Sequence, residues 1–213
     1  MADHDPTAPA AGFRVKPTLT GELVVLRPVT AADLPALMPM LLDEDVARLT
    51  GSHGELDEAR LRAWYETRGR QGDRLDLAVV ERATGEVVGE AVLNDWDAAN
   101  ESCGFRVALV PGAVGRGLGT EATRLIVGHG FEYLGLHRVS LEVYASNPRA
   151  RRVYEKVGFV AEGVLREALL WKGERVDAVP MSILGPEWAR HRGRPATAVR
   201  ADGPASPPCS PAG

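Results

Sequence analysis

Cysteine, aromatic side chains, net positive charge and long apolar runs are all scarce or absent in this chain, and each lack closes off a class of protein. Two cysteines in 213 residues, Cys103 in a strand-like run and Cys209 in a proline-rich stretch, offer neither a disulfide framework nor the paired spacing of a metal site. A reducing cytoplasm suits that usage, and no metal is expected. No stretch approaches the ~18 consecutive apolar residues that cross a bilayer, and Met1 to Ala10 has neither a basic nor an apolar leader region. The expectation is a cytoplasmic protein without membrane association. Aromatics make up only 6% of the chain, and a net charge of −4 is the wrong sign for a protein whose main task is gripping nucleic acid.

What is present describes one ordinary domain. An apolar content of 45% over 213 residues suffices for a core. Residues 1–17 and 189–213 lack apolar periodicity and read as disordered tails around a domain at 18–188, the second carrying Arg190, Arg192, Arg194 and Arg200. Charge is unevenly spread. Residues 114–156 hold seven Arg and Lys against four acids, enough to receive a polyanion, whereas 89–101 holds Glu90, Asp95, Asp97 and Glu101 with no base and suits a cation.

Between the tails, strands and helices alternate. Leu23–Leu26 reads as a strand, followed by a helix capped by Thr30 and running to about Leu42, with Pro35 and Pro39 able to shorten it, and by a second helix over about 57–70. Residues 75–81 and 86–94 around Thr84-Gly85 form a predicted hairpin, and 103–110 a fourth strand with Phe105, Val107 and Leu109 on one face. A helix then spans about 118–134, and a half-buried strand alternates Val139, Leu141 and Val143 with Ser140, Glu142 and Tyr144. Asn147-Pro148 supplies the cap and first residue of a short helix stopped by Gly158. Two last strands, about 159–169 and 175–184, turn at Lys172-Gly173.

The most informative segment is Val114-Gly-Arg-Gly-Leu-Gly-Thr-Glu-Ala122, three alternating glycines after an apolar strand and at the start of a helix. Glycine permits tight turns and close backbone approach, and the first turn of a helix leaves up to four N–H groups unpaired, so the segment is suited to hold an anion. A Walker A loop fails because Leu118 stands where its lysine belongs. Gly117-x-Gly119-x-x-Ala122 does match a relaxed dinucleotide fingerprint, with Glu142 about 20 residues on, so a dinucleotide-binding protein stays as an alternative.

The order of elements and three motifs resemble the GNAT superfamily of acyl-CoA-dependent N-acyltransferases. The glycine loop over 114–119 is similar to the family's [RQ]-x-x-G-x-[GA]. Asn147-Pro-Arg-Ala-Arg-Arg-Val-Tyr-Glu-Lys-Val-Gly-Phe159 looks like N-x-x-[SA]-x-x-x-Y-E-K-x-G-F. Trp171-x-Gly173-Glu-Arg-Val-Asp177 resembles the last hairpin of the subgroup that acetylates ribosomal-protein N-termini and of related antibiotic-modifying enzymes. The likeness covers about Leu19 to Trp188. It implies a mixed α/β fold: a twisted, mostly antiparallel sheet of about seven strands, helices on both faces, and splayed strands 4 and 5 that take the pantetheine arm of acetyl-CoA.

The resemblance also implies roles. Backbone N–H groups of Gly115, Arg116, Gly117, Leu118, Gly119 and Thr120 would bind the pyrophosphate. The main chain of Val107, Ala108 and Leu109 would pair with the arm. Arg116, Arg151 and Arg152 are candidate phosphate contacts, and Asn147 is either a helix cap alone or also a neighbour of the cofactor. Tyr154 falls on the family's general acid. Val114 departs from the family's Arg or Gln, which leaves anion binding mainly to the backbone, with Arg116 as a possible compensating cation. The general base is open: Ser102 stands where many relatives have glutamate, leaving Glu101 through a local bulge, or Glu90 or Asp95 on the preceding strand. The implied acceptor is a primary amine on a protein N-terminus, a polyamine or amino acid, or an aminoglycoside, and the protein a monomer or homodimer. A non-catalytic acyl-CoA-sensing module is the competing class.

Overall fold

The computed structural model describes residues 11–54, 56–192 and 197–199, the side chains of residues 11, 12 and 197–199 excepted. Ten strands, β1 (Thr18–Thr20), β2 (Val24–Pro28), β3 (Leu75–Glu81), β4 (Val87–Asp97), β5 (Ser102–Leu109), β6 (Arg138–Tyr144), β7 (Val160–Ala161), β8 (Leu165–Trp171), β9 (Glu174–Leu184) and β10 (Thr197–Val199), form one sheet. The order across it is β10-β1-β2-β3-β4-β5-β6-β9-β7, with β8 also on β9, and every pairing is antiparallel except β5 with β6. The helices are α1 (Ala11–Arg14), α2 (Leu34–Leu41), α3 (Glu44–Thr50), α4 (Glu58–Arg68), α5 (Leu118–Glu132), α6 (Pro148–Val157) and α7 (Gly185–His191). None is long and apolar enough to cross a membrane.

Strand alternation puts a separate core on each face. Leu75, Leu77 and Val79 of β3 join Phe105, Val139, Leu141 and Val143 beneath Ala122 and Ile126 of α5 and Tyr154 and Val157 of α6. The intervening Ala78 faces the other way, into a smaller cluster with Leu34, Leu37 and Met40 of the α2 region and Tyr65 of α4. The mixed α/β fold with helices on both faces is therefore as the sequence implies. The count of strands exceeds seven because β1 and β10 are too short to show periodicity, and the expected strand at 159–169 is broken into β7 and β8 around Gly163.

Local chemistry explains the α6 ends. Asn147 Oδ1 accepts from the Ala150 N–H at 3.0 Å, Pro148 opens the helix, and Gly158 at φ 113° ends it. Other anchors lack a sequence signature. Phe13, inside the segment read as a tail, is fully buried 5.4 Å from the Trp96 ring, and Lys16 Nζ donates to the carbonyls of Phe13, Gln71 and Arg74 at 2.8, 2.7 and 2.5 Å. The Glu121 carboxylate accepts from the N–H groups of Glu22, Leu23 and Val24 at 2.8, 2.7 and 2.7 Å, fixing the start of α5 to the β1–β2 turn. Arg194, Arg200 and Cys209 lie outside the described residues, as does most of the two expected tails.

Candidate active site

The one parallel pairing in the sheet is short. β5 and β6 pair only at Ser102–Arg138, Cys103–Val139 and Gly104–Ser140. Beyond Gly104, β5 stays with β4 as far as Leu109 opposite Gly89, while β6 stays with β9 as far as Tyr144 opposite Ala178. Each strand keeps its antiparallel partner, so the sheet opens between them. A cavity of about 950 Å³ occupies the opening.

The opening exposes polar backbone. The Val110 N–H donates to Val88 O at 2.9 Å, and because hydrogen bonding alternates along an antiparallel ladder, Val107 and Leu109 turn their N–H and C=O groups away from β4 into the gap. Ala108 has the opposite phase and serves β4. At one end of the gap lies the glycine loop, with Gly115 and Gly117 in left-handed conformation at φ 83° and 86°. Thr120 and Glu121 N–H donate to Gly117 O at 3.0 and 3.1 Å; among the described residues the N–H groups of Gly115 to Gly119 have no acceptor. Five adjacent free donors at a helix N-terminus are suited to an anion.

The side chains expected beside that loop divide. Gly115, Gly117, Gly119, Thr120, Asn147 and Arg152 line the cavity. Leu118 is buried in the core, Arg116 is turned away onto the buried carboxylate of Glu81, 3.1 Å from Nη1 to Oε2, and Arg151 is paired with Glu155 at 2.9 Å outside the cavity. Arg149 and Lys156 stand in their place, on the same face of α6 as Arg152, and none of the three has an ion pair among the described residues. Helical spacing at 149, 152 and 156 was available in the sequence; that this face meets the gap was not.

Tyr154 sits in the cavity wall, 8% exposed, with its ring 6.2 Å from Phe105 edge-on and 5.9 Å from Phe159. Burial pushes its hydroxyl up to about 12. The carboxylates are distributed differently from the expectation. Glu90 lies under α4, its Oε1 3.1 Å from Arg68 Nη1, where burial raises its pKa and Arg68 opposes the rise. Glu101 is an exposed turn residue whose carbonyl accepts from His137 and Arg138 N–H at 2.7 and 3.2 Å. Neither lines the cavity; Asp95 does. The local irregularity falls in β4, between Asn94 and Asp97, with Asp95 at φ 52°. Asn94 Nδ2 donates to Asp95 Oδ2 at 2.5 Å, and a Cβ added to Gly104 would lie 3.4 Å from that oxygen, so the carboxylate sits over the last residue before the strands part.

The remaining wall lies on the sheet face away from α5 and α6. It comprises Arg106, Ser140, Glu142 and Tyr144, with Val46, Leu49 and Thr50 of α3 above them. The end of α3 is close-fitted: Gly51, at φ 67°, rests against the Tyr144 ring with no room for a side chain. Arg138 and Glu162 are mutually paired, and Ser182 donates to Glu162 at 2.7 Å. Cys103 faces the core instead, 3% exposed, and burial pushes its thiol up to about 12. Among the described residues no group of three or more His, Cys, Asp or Glu is placed to hold a metal ion.

A splayed parallel seam, a donor-rich glycine loop beside it and a buried tyrosine in the wall are the arrangement that the resemblance to acyl-CoA-dependent transferases implied. A family model described as an acetyltransferase (GNAT) domain matches residues 24–160, and the chain belongs to that family. By that membership it is an acyl-CoA-dependent N-acetyltransferase. It is similar to a prophage-derived uncharacterized N-acetyltransferase of Bacillus subtilis, at 26% identity covering 82% of this chain and 97% of that one. The spermidine N(1)-acetyltransferase of Escherichia coli K12 is 29% identical over 56% of this chain and 65% of its own. Among solved structures, a GCN5-related N-acetyltransferase from Brucella melitensis superposes with a TM-score of 0.70 at 27% identity, covering 84% and 83% of the two chains. The spermidine N-acetyltransferase of Vibrio cholerae, in complex with CoA and spermine, shares the fold at a TM-score of 0.74 and 22% identity over 79% and 99%. The dinucleotide alternative falls: its fingerprint opens a parallel βαβ series, and this sheet has a single parallel pair.

Proposed function

We propose that the protein transfers an acetyl group directly from acetyl-CoA to a primary amine, with Asp95 as general base and Tyr154 as general acid. The observation that carries this reading is that both side chains line the opening between β5 and β6, whereas Glu90 and Glu101 do not. Acetyl-CoA supplies an activated thioester and four or so phosphate charges. The free N–H groups of Gly115 to Gly119 suit its pyrophosphate, with Arg149, Arg152 and Lys156 along the same wall, and Val107 and Leu109 offer strand-edge partners to the amides of the arm.

An alkylammonium with a pKa near ~10 is unreactive at neutral pH until it loses a proton. Asp95 accepts that proton as the amine nitrogen bonds to the acyl carbon. The carbon–sulfur bond breaks, and the Tyr154 hydroxyl donates to the departing thiolate. Because burial holds that hydroxyl up to about 12, it remains a donor across the working pH range. The same burial argues for direct transfer: Cys103, the one described cysteine, is a protonated core thiol and a poor acyl carrier.

Steady-state thiol release tests the assignment. Tyr154→Phe lowers kcat by about 10²–10⁴ while the KM for acetyl-CoA stays within a few-fold, and Asp95→Asn lowers kcat/KM for the amine by a similar factor and removes its acidic inflection. An acidic inflection that survives Asp95→Asn would eliminate Asp95 as the base. Tight acetyl-CoA binding with no turnover on any amine would make the protein a sensor.

A further inference from the structure

We infer that the acceptor is a primary amine that also carries an oxyanion, and that Arg106 is the residue that selects it. The inference rests on the acetyl-transfer reading and concerns the half of the cavity opposite α5 and α6. On β5, Phe105 points into the core, so Arg106 projects from the other face, the one shared with Gly104. The Asp95 carboxylate sits over Gly104. Residues two apart on a strand are about 6.6 Å apart along it. A guanidinium on a long flexible stem therefore reaches a group a few bonds from an amine held at Asp95.

The charges around it decide what that group is. Arg138, on the facing strand, is neutralised by Glu162, which also accepts from Ser182. Arg149, Arg152 and Lys156 belong to α6, on the side of the glycine loop. Above the acceptor wall, Arg48 is paired with Asp45, and Glu44 with Lys172. Arg106 is exposed, lines the cavity and has no hydrogen bond or ion pair among the described residues. Glu142, across the gap on β6, also lines the cavity without such a partner. The acceptor wall thus presents one uncompensated cation on β5 and one uncompensated anion on β6, with the proposed base near the cation. An acceptor with an oxyanion a few bonds from its amine satisfies Arg106, whose planar donors match a carboxylate or a phosphate bidentately. A simple diamine or polyamine can set its second ammonium toward Glu142 but leaves Arg106 without a counter-charge, and an ammonium near that guanidinium in a partly enclosed cleft is penalised.

Matched acceptor pairs test this at saturating acetyl-CoA: an α-amino acid against its amide, phosphoethanolamine against ethanolamine, and putrescine and spermidine as cations without an oxyanion. The wild-type protein is expected to prefer the oxyanion member of at least one pair by about tenfold or more in kcat/KM, the pair identifying carboxylate or phosphate. Arg106→Gln is expected to erase that preference, mainly through KM, and Arg106→Glu to shift it toward the diamines. Arg106 is exposed, so its loss leaves no buried charge and both variants should fold. A wild-type preference for putrescine or spermidine, or an oxyanion preference that survives in Arg106→Gln, overturns the inference while leaving acetyl transfer standing. Absence of turnover on every amine overturns both.

Discussion

His129, a side chain outside the site, illustrates how burial dominates a residue's behaviour. It lies in the last turn of α5, stacked on Tyr133 at 5.2 Å, and both ring nitrogens are buried without a partner among the described residues. Burial pushes its pKa down to about 4, against a smaller upward pull from Glu132. The unfolded chain takes up this proton near pH 6.5 and the folded chain does not until about 4, so the contribution is whole above 6.5 and is lost as pH falls through 4. The full loss is about 3 kcal/mol, enough to matter for a domain of ordinary stability. His129→Leu should remove it: the drop in Tm between pH 7 and pH 4.5 becomes several degrees smaller than in the wild type. An unaltered drop would show that the folded His129 titrates normally. The contrast with Tyr154 is instructive, because the same desolvation keeps both groups neutral, one as a latent acid and the other as a stability liability.

Among elements, the glycine loop and the helix it opens respond most directly to substitution. Gly117 holds φ 86° at the N-cap of α5, and a methyl group there would lie 3.3 Å from Leu23 Cδ1. Gly117→Ala strains a left-handed position by about 1–2 kcal/mol and turns its neighbours' N–H groups off their shared target. Acetyl-CoA affinity measured by calorimetry should weaken about tenfold with the fold retained; an unchanged Kd would mean that the loop is not the anion site. This element was legible in the sequence because its signals are local: glycine spacing, the apolar stripe of α5, and the Asn147-Pro148 and Gly158 ends of α6. The seven-residue helix α3 was not, since none of its residues is buried and no periodic stripe marks it. The turn of Asp95 into the gap was equally silent, because a bulge is a mismatch between two strands and belongs to neither strand's own pattern.

At the scale of the whole molecule, a buried ionic cluster joins α4 to the sheet. Arg68 of α4 donates through Nε and Nη2 to Asp76 Oδ1 at 3.1 and 2.6 Å and lies 3.1 Å from Glu90 Oε1, while Arg74 Nε closes on Asp76 Oδ2 at 2.6 Å. Arg68→Ala would leave Asp76 and Glu90 buried and underpaired, a destabilisation of about 3–5 kcal/mol. Denaturant melts should show that loss as a fall in midpoint; a shift below ~1 kcal/mol would mean that water replaces the guanidinium. This cluster also explains why Glu90, plausible as a base in the sequence, serves structure. Taken by itself, the sequence determined the order of the main elements, α3 and the short strands excepted, the two-faced sheet, the glycine loop and the place of the tyrosine, because periodicity, caps and glycine spacing act over a few residues. Only the tertiary structure decided which carboxylate enters the gap, which arginines face it and which are spent on Glu81 or Asp76. Those outcomes depend on strand register and on where β5 and β6 part. Both are fixed by pairings between residues dozens of positions apart, which no local pattern records.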